Sequence, residues 1–310
     1  MTIKVHMRKI FNYRYLVLFA LLALTQNCRQ KPNTEASKIN SGLRFYSAGD
    51  FGSVKKFDSH IHVNTLDTPF IKQAEKDNFQ FLNIVDDRPF GITMADQQEI
   101  AFKQNTNYRE RMVFAATFPV KEWDNEDWQQ KTLDHLKNCI SKGAVAVKVW
   151  KNVGMDLRDK TGKFIMVDDP KLDAIYDYIA KENLTLIGHN GEPRDCWLPF
   201  DSMIVKGNRN YYGQHPEYHM FLHPEYPSYD DQINARDNML AKHPDMKFIG
   251  CHLGSLEWSL DELARRLDKY PNMAVDLSRF TNLHIHTMKN WQPGFSILVI
   301  DLVNYISRKF

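Results

Sequence analysis

From Val54 onward, short and nearly continuous apolar runs alternate with amphipathic stretches of helical period, and the alternation repeats eight times in about 250 residues. That arithmetic predicts an α/β fold closed as a (β/α)8 TIM barrel. Strands that are apolar along both faces read as a parallel sheet covered by helices, not as a half-solvated antiparallel one. An open doubly wound sheet is the alternative, and it lacks support because no glycine-rich phosphate loop follows the first strand. A chain of 310 residues is long enough to hold one large core.

In order, the strands are expected at Lys55–Val63, Phe79–Val85, Met112–Phe118, Ala144–Trp150, Leu184–His189, Lys247–His252, Met273–Leu277 and Phe295–Asp301. Helices are expected between them at Pro69–Asp77, Ala95–Gln104, Glu126–Ser141, Pro170–Glu182, Tyr229–Lys242 and Leu260–Lys269. Asp230 and Ser259 stand where N-caps belong, and Pro244 and Pro271 follow helix ends as stop signals. One connection is long. Gly191 to Ser228 carries five tyrosines, counting Tyr229 at its edge, and the near-repeat His215-Pro-Glu-Tyr218 and His223-Pro-Glu-Tyr226. A loop of that length is expected to be a lid or an ordered surface excursion, and His215, His219 and His223, with His284 and His286 further on, are read as surface or lid residues.

The N-terminus is separate from the fold. Lys4, Arg8, Lys9 and Arg14 precede the uncharged run Tyr15–Leu24, and Cys28 follows. A basic head before a short apolar run fits a secretory signal over residues 1–28, with Cys28 placed like the lipidated cysteine of a lipoprotein; the alternatives are an ordinary cleaved signal or an uncleaved anchor. Residues 29–50 are polar and aperiodic, a tether to a barrel over 51–310. The expectation is an exported protein of the cell envelope that meets the membrane only through this anchor. A formal charge of +2 and the absence of a basic run argue against nucleic acid. Cys139, Cys196 and Cys251 are too few and too widely spaced for a disulfide framework or a CxxC zinc site.

In a barrel of this kind, chemistry sits at the C-terminal ends of the strands. The first strand ends in Asp58-Ser-His60-Ile-His62, and residues two apart on a strand share a face. Two imidazoles so spaced can hold one metal ion, and a carboxylate beside them can orient a ring through its second nitrogen. Lys148 interrupts the fourth apolar run, His189 ends the fifth, His252 the sixth, and Asp301 the last. Each alone has an ordinary reading: a structural histidine, a snorkelling lysine, a helix-capping aspartate. Four histidines at the ends of three strands point instead to a divalent cation held by neutral imidazoles.

The order Asp58-x-His60-x-His62, Lys148, His189-Asn-Gly-Glu-Pro193 and His252-Leu-Gly254 resembles the amidohydrolase superfamily. It is most similar to the amidohydrolase-related (amidohydrolase 2) branch of barrel-fold metal-dependent hydrolases, over about Val54 to Trp291. The resemblance implies that His60 and His62 bind a metal, usually zinc, as one or two ions, with His189 as a further ligand. It implies that His252 binds a second metal or acts on the substrate as an acid/base group. Lys148 would bridge two metals when carboxylated, or steer an anionic substrate in single-metal branches. The branch ends its barrel with an aspartate that manages the proton of the attacking water, for which Asp301 is the candidate. Asp301 lacks the usual Gly-Thr before it, and only nine residues follow it. The expected barrel is therefore incomplete at strand eight and helix eight, as a divergent last strand or a truncated end. Asp276, one strand early, is read as substrate-facing or structural.

The activity implied is hydrolysis of a small-molecule amide, ester or lactone by metal-activated water, with Glu192, Arg194 and Lys151 contacting substrate. The alternatives are a metal-dependent non-oxidative decarboxylase of the same superfamily, or a truncated, inactive metal-binding lipoprotein.

Overall fold

The computed structural model describes residues 48–88 and 91–278. The signal segment 1–28, the tether up to residue 47, His284, His286 and the strand expected at Phe295–Asp301 lie outside the described residues. The compact unit that carries the site begins at Gly52. It holds strands β1 (Lys56–Ile61), β2 (Phe79–Ile84), β3 (Met112–Ala116), β4 (Ala144–Val149), β5 (Thr185–Gly188), β6 (Lys247–Gly250) and β7 (Met273–Val275). All neighbours pair in parallel, in the order β1-β2-β3-β4-β5-β6-β7.

Helices α1 (Pro69–Lys76), α2 (Met94–Asn107), α3 (Trp128–Ser141) and α4 (Asp173–Lys181) fill the first four crossovers that contain one. Helices α5 (Lys206–Gln214) and α6 (Tyr229–Lys242) follow β5, and α7 (Leu260–Lys269) precedes β7. The helices match the periodicity because local chemistry agrees with it. Pro69 opens α1, Thr93 caps α2 through Asp96 N, and Ser259 caps α7 through Glu262 N. The cap of α6 is Ser228, not Asp230: Ser228 and Asp231 form a reciprocal capping box that places Asp230 within the first turn.

Side chains alternate along each strand between two apolar layers. Leu82, Ile84, Ala115, Ala146, Ile187, Ile249, Cys251 and Ala274 fill the inside of the sheet. Phe114, Ala116, Val147, Val149, Leu186, Phe248 and Val275 pack outward on the helices. The fold is a TIM barrel, and its curl is visible in one contact: His60 of β1 lies 2.7 Å from the carboxylate of Asp276, the residue after β7. The first and seventh strands therefore face each other across the barrel mouth.

The Gly191–Ser228 excursion is an ordered subdomain with its own core of Cys196, Met203, Tyr212 and Met220, joined by Met155. Asp195 ties it together by accepting from the N–H groups of Ile204 and Val205 and from Asn208. His219 is fully buried there and its Nε2 meets the Leu198 carbonyl at 2.8 Å, so it is part of that core and not a surface residue. Among the described residues, no helix is long and apolar enough to cross a membrane.

Candidate active site

The sequence places its histidines at strand ends, and the backbone there departs from strand geometry in ways that bring them together. The pairing of β1 with β2 shifts between Asp58 and Ile61, and His62 lies just beyond the strand. Asn83 of β2, which is buried, brackets the chain after His62: its amide accepts from Val63 N at 2.8 Å and donates to Val63 O at 3.0 Å. At the other side, β6 stops at Gly250 instead of running to His252. His252, Leu253 and Ser255 all take left-handed backbone conformations, with φ of 56°, 57° and 57°. Such conformations cost non-glycine residues energy and persist where the surroundings hold them. Here α6 holds them: Arg236 donates to Gly254 O at 2.5 Å and Tyr229 Oη donates to Ser255 O at 2.5 Å.

The result is a cluster of four imidazoles. Ring centres are 5.4 Å apart for His60 and His62, 5.2 Å for His60 and His252, and 4.6 Å for His189 and His252. Three of the rings are anchored through Nδ1. His60 Nδ1 meets Asp276 Oδ2 at 2.7 Å, His62 Nδ1 meets Ile84 O at 2.8 Å, and His252 Nδ1 meets Ser278 O at 2.9 Å. A carbonyl or carboxylate oxygen can only accept, so each ring carries a proton on Nδ1, and in its neutral form keeps a free electron pair on Nε2. The fourth ring, His189, is 8% exposed, and its Nε2 is buried with no hydrogen-bond partner among the described residues.

Electrostatics keep three of these rings, His62, His189 and His252, neutral. Burial lowers His189 well below the ordinary histidine range, and the charges of His252, Lys148, Lys151 and His60 push the same way. Burial lowers His252 to about 4 against the pull of Asp276. His62, at the rim with 27% of its side chain exposed, is lowered by desolvation to about 4 despite the neighbouring Asp86. Neutral rings with free electron pairs and one orphaned buried nitrogen are the donor set a divalent cation requires. The residues present fit such an ion.

Asp58 does not orient a ring. Its carboxylate turns back along its own strand and accepts from His60 N at 3.0 Å, a short local contact at the register shift. The ring partner is Asp276, which also accepts from His252 N at 2.8 Å. Burial would raise the Asp276 carboxyl, but the hydrogen bond and charge of His60, then the charge of His252 and the Ser278 hydroxyl, outweigh it and hold it below the usual carboxylate range. His60, Cys251 and Asp276 bring donor atoms within 4.8 Å of one another.

Lys148 is 1% exposed, beneath the histidines, and its Nζ lies 2.8 Å from Cys251 Sγ. Burial pushes that thiol up to about 12, with Lys148 opposing, so it stays protonated. Glu192 is buried and pairs with Lys151. The Arg194 guanidinium lies 4.2 Å over the Trp258 ring. Asp86 and Arg88 form an ion pair at the rim beside His62, and the sequence reading passed over both. It undervalued Asp276 and Ser278 too, although Asp276 obeys the same strand-end rule as the histidines. Asp301 lies outside the described residues.

A barrel that gathers four anchored or orphaned imidazoles at the C-terminal ends of its parallel strands has the build of a metal-dependent barrel enzyme. The chain belongs to the amidohydrolase family: the profile Amidohydro_2, described as Amidohydrolase, matches residues 58–300. No curated protein matches the chain. Among solved structures it is similar to 2,6-dihydroxybenzoate decarboxylase from Rhizobium, with 14% identity, 80% of this chain and 84% of that one covered, and a TM-score of 0.48. It is also similar to an uncharacterized TIM-barrel protein from Bordetella bronchiseptica, with 11% identity, 79% and 80% covered, and a TM-score of 0.45. A third is 4-oxalomesaconate hydratase from Rhodopseudomonas palustris, with 14% identity, 73% and 63% covered, and a TM-score of 0.43.

Proposed function

We propose that this chain is a metal-dependent hydrolase of small-molecule amides, esters or lactones, with His60, His62 and His189 holding a divalent cation, zinc by donor type. The observation that carries this reading is the shared state of the rings: Nδ1 fixed on His60 and His62, and an orphaned, buried Nε2 on His189. The cation, when bound, supplies Lewis-acid polarisation of the scissile carbonyl and acidifies water. His252 accepts a proton at Nε2, which its Nδ1 contact to Ser278 O leaves unprotonated. The positive charge it then carries is met by Asp276, whose Oδ1 already takes the His252 backbone N–H. Asp301 is retained as the second proton-handling carboxylate, and Glu192 and Arg194 as residues of the substrate mouth. Lys148 is assigned to the floor of the site on the strength of its burial, with a bridging role conditional on carboxylation. The basic head and apolar run of residues 1–28 support export, with a lipid at Cys28 and residues 29–50 as tether.

The test is elemental analysis of the purified chain beside its His60→Ala/His62→Ala double variant, followed by a panel of ester, amide and lactone substrates with and without chelator. One or two zinc ions per chain, lost in the variant together with chelator-sensitive turnover, is the expected result. Failure to bind metal after reconstitution, or turnover that survives chelation, would overturn the reading. Carbon dioxide release from an aromatic acid without hydrolysis would replace it with a decarboxylase.

A further inference from the structure

We infer that Asp276 is the positioning residue of this site: it fixes the proton of His60 on Nδ1 and fastens the left-handed turn that presents His252. The inference rests on the metal reading for its consequence, and on hydrogen-bond geometry for its substance. Asp276 Oδ2 takes His60 Nδ1 at 2.7 Å. Its Oδ1 takes the backbone N–H of His252 at 2.8 Å, the N–H of Ser278 at 3.1 Å and the Ser278 hydroxyl at 2.6 Å. A carboxylate offers about four acceptor sites, two on each oxygen, so Oδ1 is fully committed to its three donors while Oδ2 is directed at His60.

The backbone of the same residue completes the hold on the turn. Asp276 N donates to Gly250 O at 3.1 Å, and Asp276 O accepts from Leu253 N at 2.8 Å. Residues on both flanks of the turn's strained start are therefore gripped by a single residue of the neighbouring strand. Ser278 joins the arrangement. With its hydrogen given to Asp276, its oxygen lies 3.0 Å from His60 Nδ1 and 2.9 Å from His252 Nδ1 and can only accept from them. Every group around Asp276 thus enforces one proton arrangement, in which both rings turn an unprotonated Nε2 away from it.

An amide at this position cannot reproduce that arrangement, because it accepts on one atom only. In Asp276→Asn the three donors on the Oδ1 side claim the amide oxygen, and the NH2 group is left facing His60. His60 must then accept at Nδ1 and carry its proton on Nε2, where an ion would bind. The expected loss in zinc affinity is roughly 10- to 100-fold, the range for removing the outer partner of a metal-binding histidine.

The experiment reads the proton directly. Nitrogen-15 imidazole spectra of the metal-free full-length chain should show His60 protonated on Nδ1, and the Asp276→Asn variant should show it protonated on Nε2. Zinc affinity, measured by competition with a chromophoric chelator, should fall in the variant by the stated factor. His60 protonated on Nε2 in the unsubstituted chain would overturn the inference, with no variant needed. So would an Asp276→Asn variant with unchanged proton position and unchanged affinity. X-ray absorption of the zinc-loaded chain decides the ligand question: a coordination shell that loses an oxygen in Asp276→Asn would make Asp276 a ligand and refute its positioning role. If the unsubstituted chain binds no zinc, the metal reading fails, while the proton position still decides the role of Asp276.

Discussion

At the residue scale, the least expected pairing is that of Lys148 with Cys251. The sequence shows a lysine in an apolar run, which reads equally as a snorkelling side chain, a carboxylated metal bridge or an anion-steering group. Alternation along β4 puts Lys148 on the same side as Ala146, inside the barrel, so it cannot reach solvent around the strand edge. Its ammonium is met by the Cys251 thiol, which burial keeps protonated. Removing that partner leaves a buried cationic donor with one hydrogen bond fewer, a change that costs more than an average contact is worth. Cys251→Ala should therefore destabilise the chain by about 1–3 kcal/mol in urea denaturation. Lys148→Met in the same background should recover most of the loss, because it removes the unsatisfied group itself. Additive losses in the double variant would show that the two side chains do not interact.

At the element scale, the strands and helices were legible because their signals are local: apolar runs, caps and stop residues lie within a few positions of what they determine. The strand ends were legible only in part. Leu184–His189 and Lys247–His252 read as continuous strands, yet both stop at a glycine. A side chain at Gly188 would come within 2.5 Å of Phe248 and Asn190, and one at Gly250 within 2.9 Å of the Gly254 backbone. The conflict between Gly188 and Phe248 is a tertiary one that no short window of sequence contains. The same holds for Asp276 and His60, whose contact spans 216 residues and needs the curl of the whole sheet. Glu257 is another such contact. It joins the turn after β6 to the start of the Gly191–Ser228 subdomain by accepting from Arg194 N at 2.8 Å, while its other oxygen is buried without a partner among the described residues. Burial pushes its carboxyl up to about 7, against the lowering by backbone N–H groups. In the unfolded chain the group titrates near 4.5, so between pH 4.5 and 7 the unfolded state gives up its proton first. Stability from this group is therefore lost as pH rises through that window and is level above it, by about 3 kcal/mol in all. Glu257→Gln should flatten that fall, as measured by urea denaturation at pH 5 and pH 8. An unchanged pH slope would assign the titration to other groups.

At the scale of the whole molecule, the proposed ligands come from distant parts of the chain. His60 and His62 belong to the end of β1 and His189 to the end of β5, four strands away in the order of the sheet. An ion shared among them ties one side of the barrel to the other, and only the folded sheet brings the three rings within reach. The unfolded chain offers no such set, so the binding free energy adds to folding stability by mass action. At a free zinc concentration 100 times the dissociation constant the gain is about 2.7 kcal/mol. For a domain of this size that corresponds to a rise in the unfolding midpoint of roughly 5–10 °C. Scanning calorimetry with and without zinc should show that rise in the unsubstituted chain. The His60→Ala/His62→Ala variant should show none, because His189 alone cannot span the barrel. A rise of equal size in both proteins would mean that zinc binds at a site outside the strand-end histidines, and the barrel would then owe none of its added stability to them.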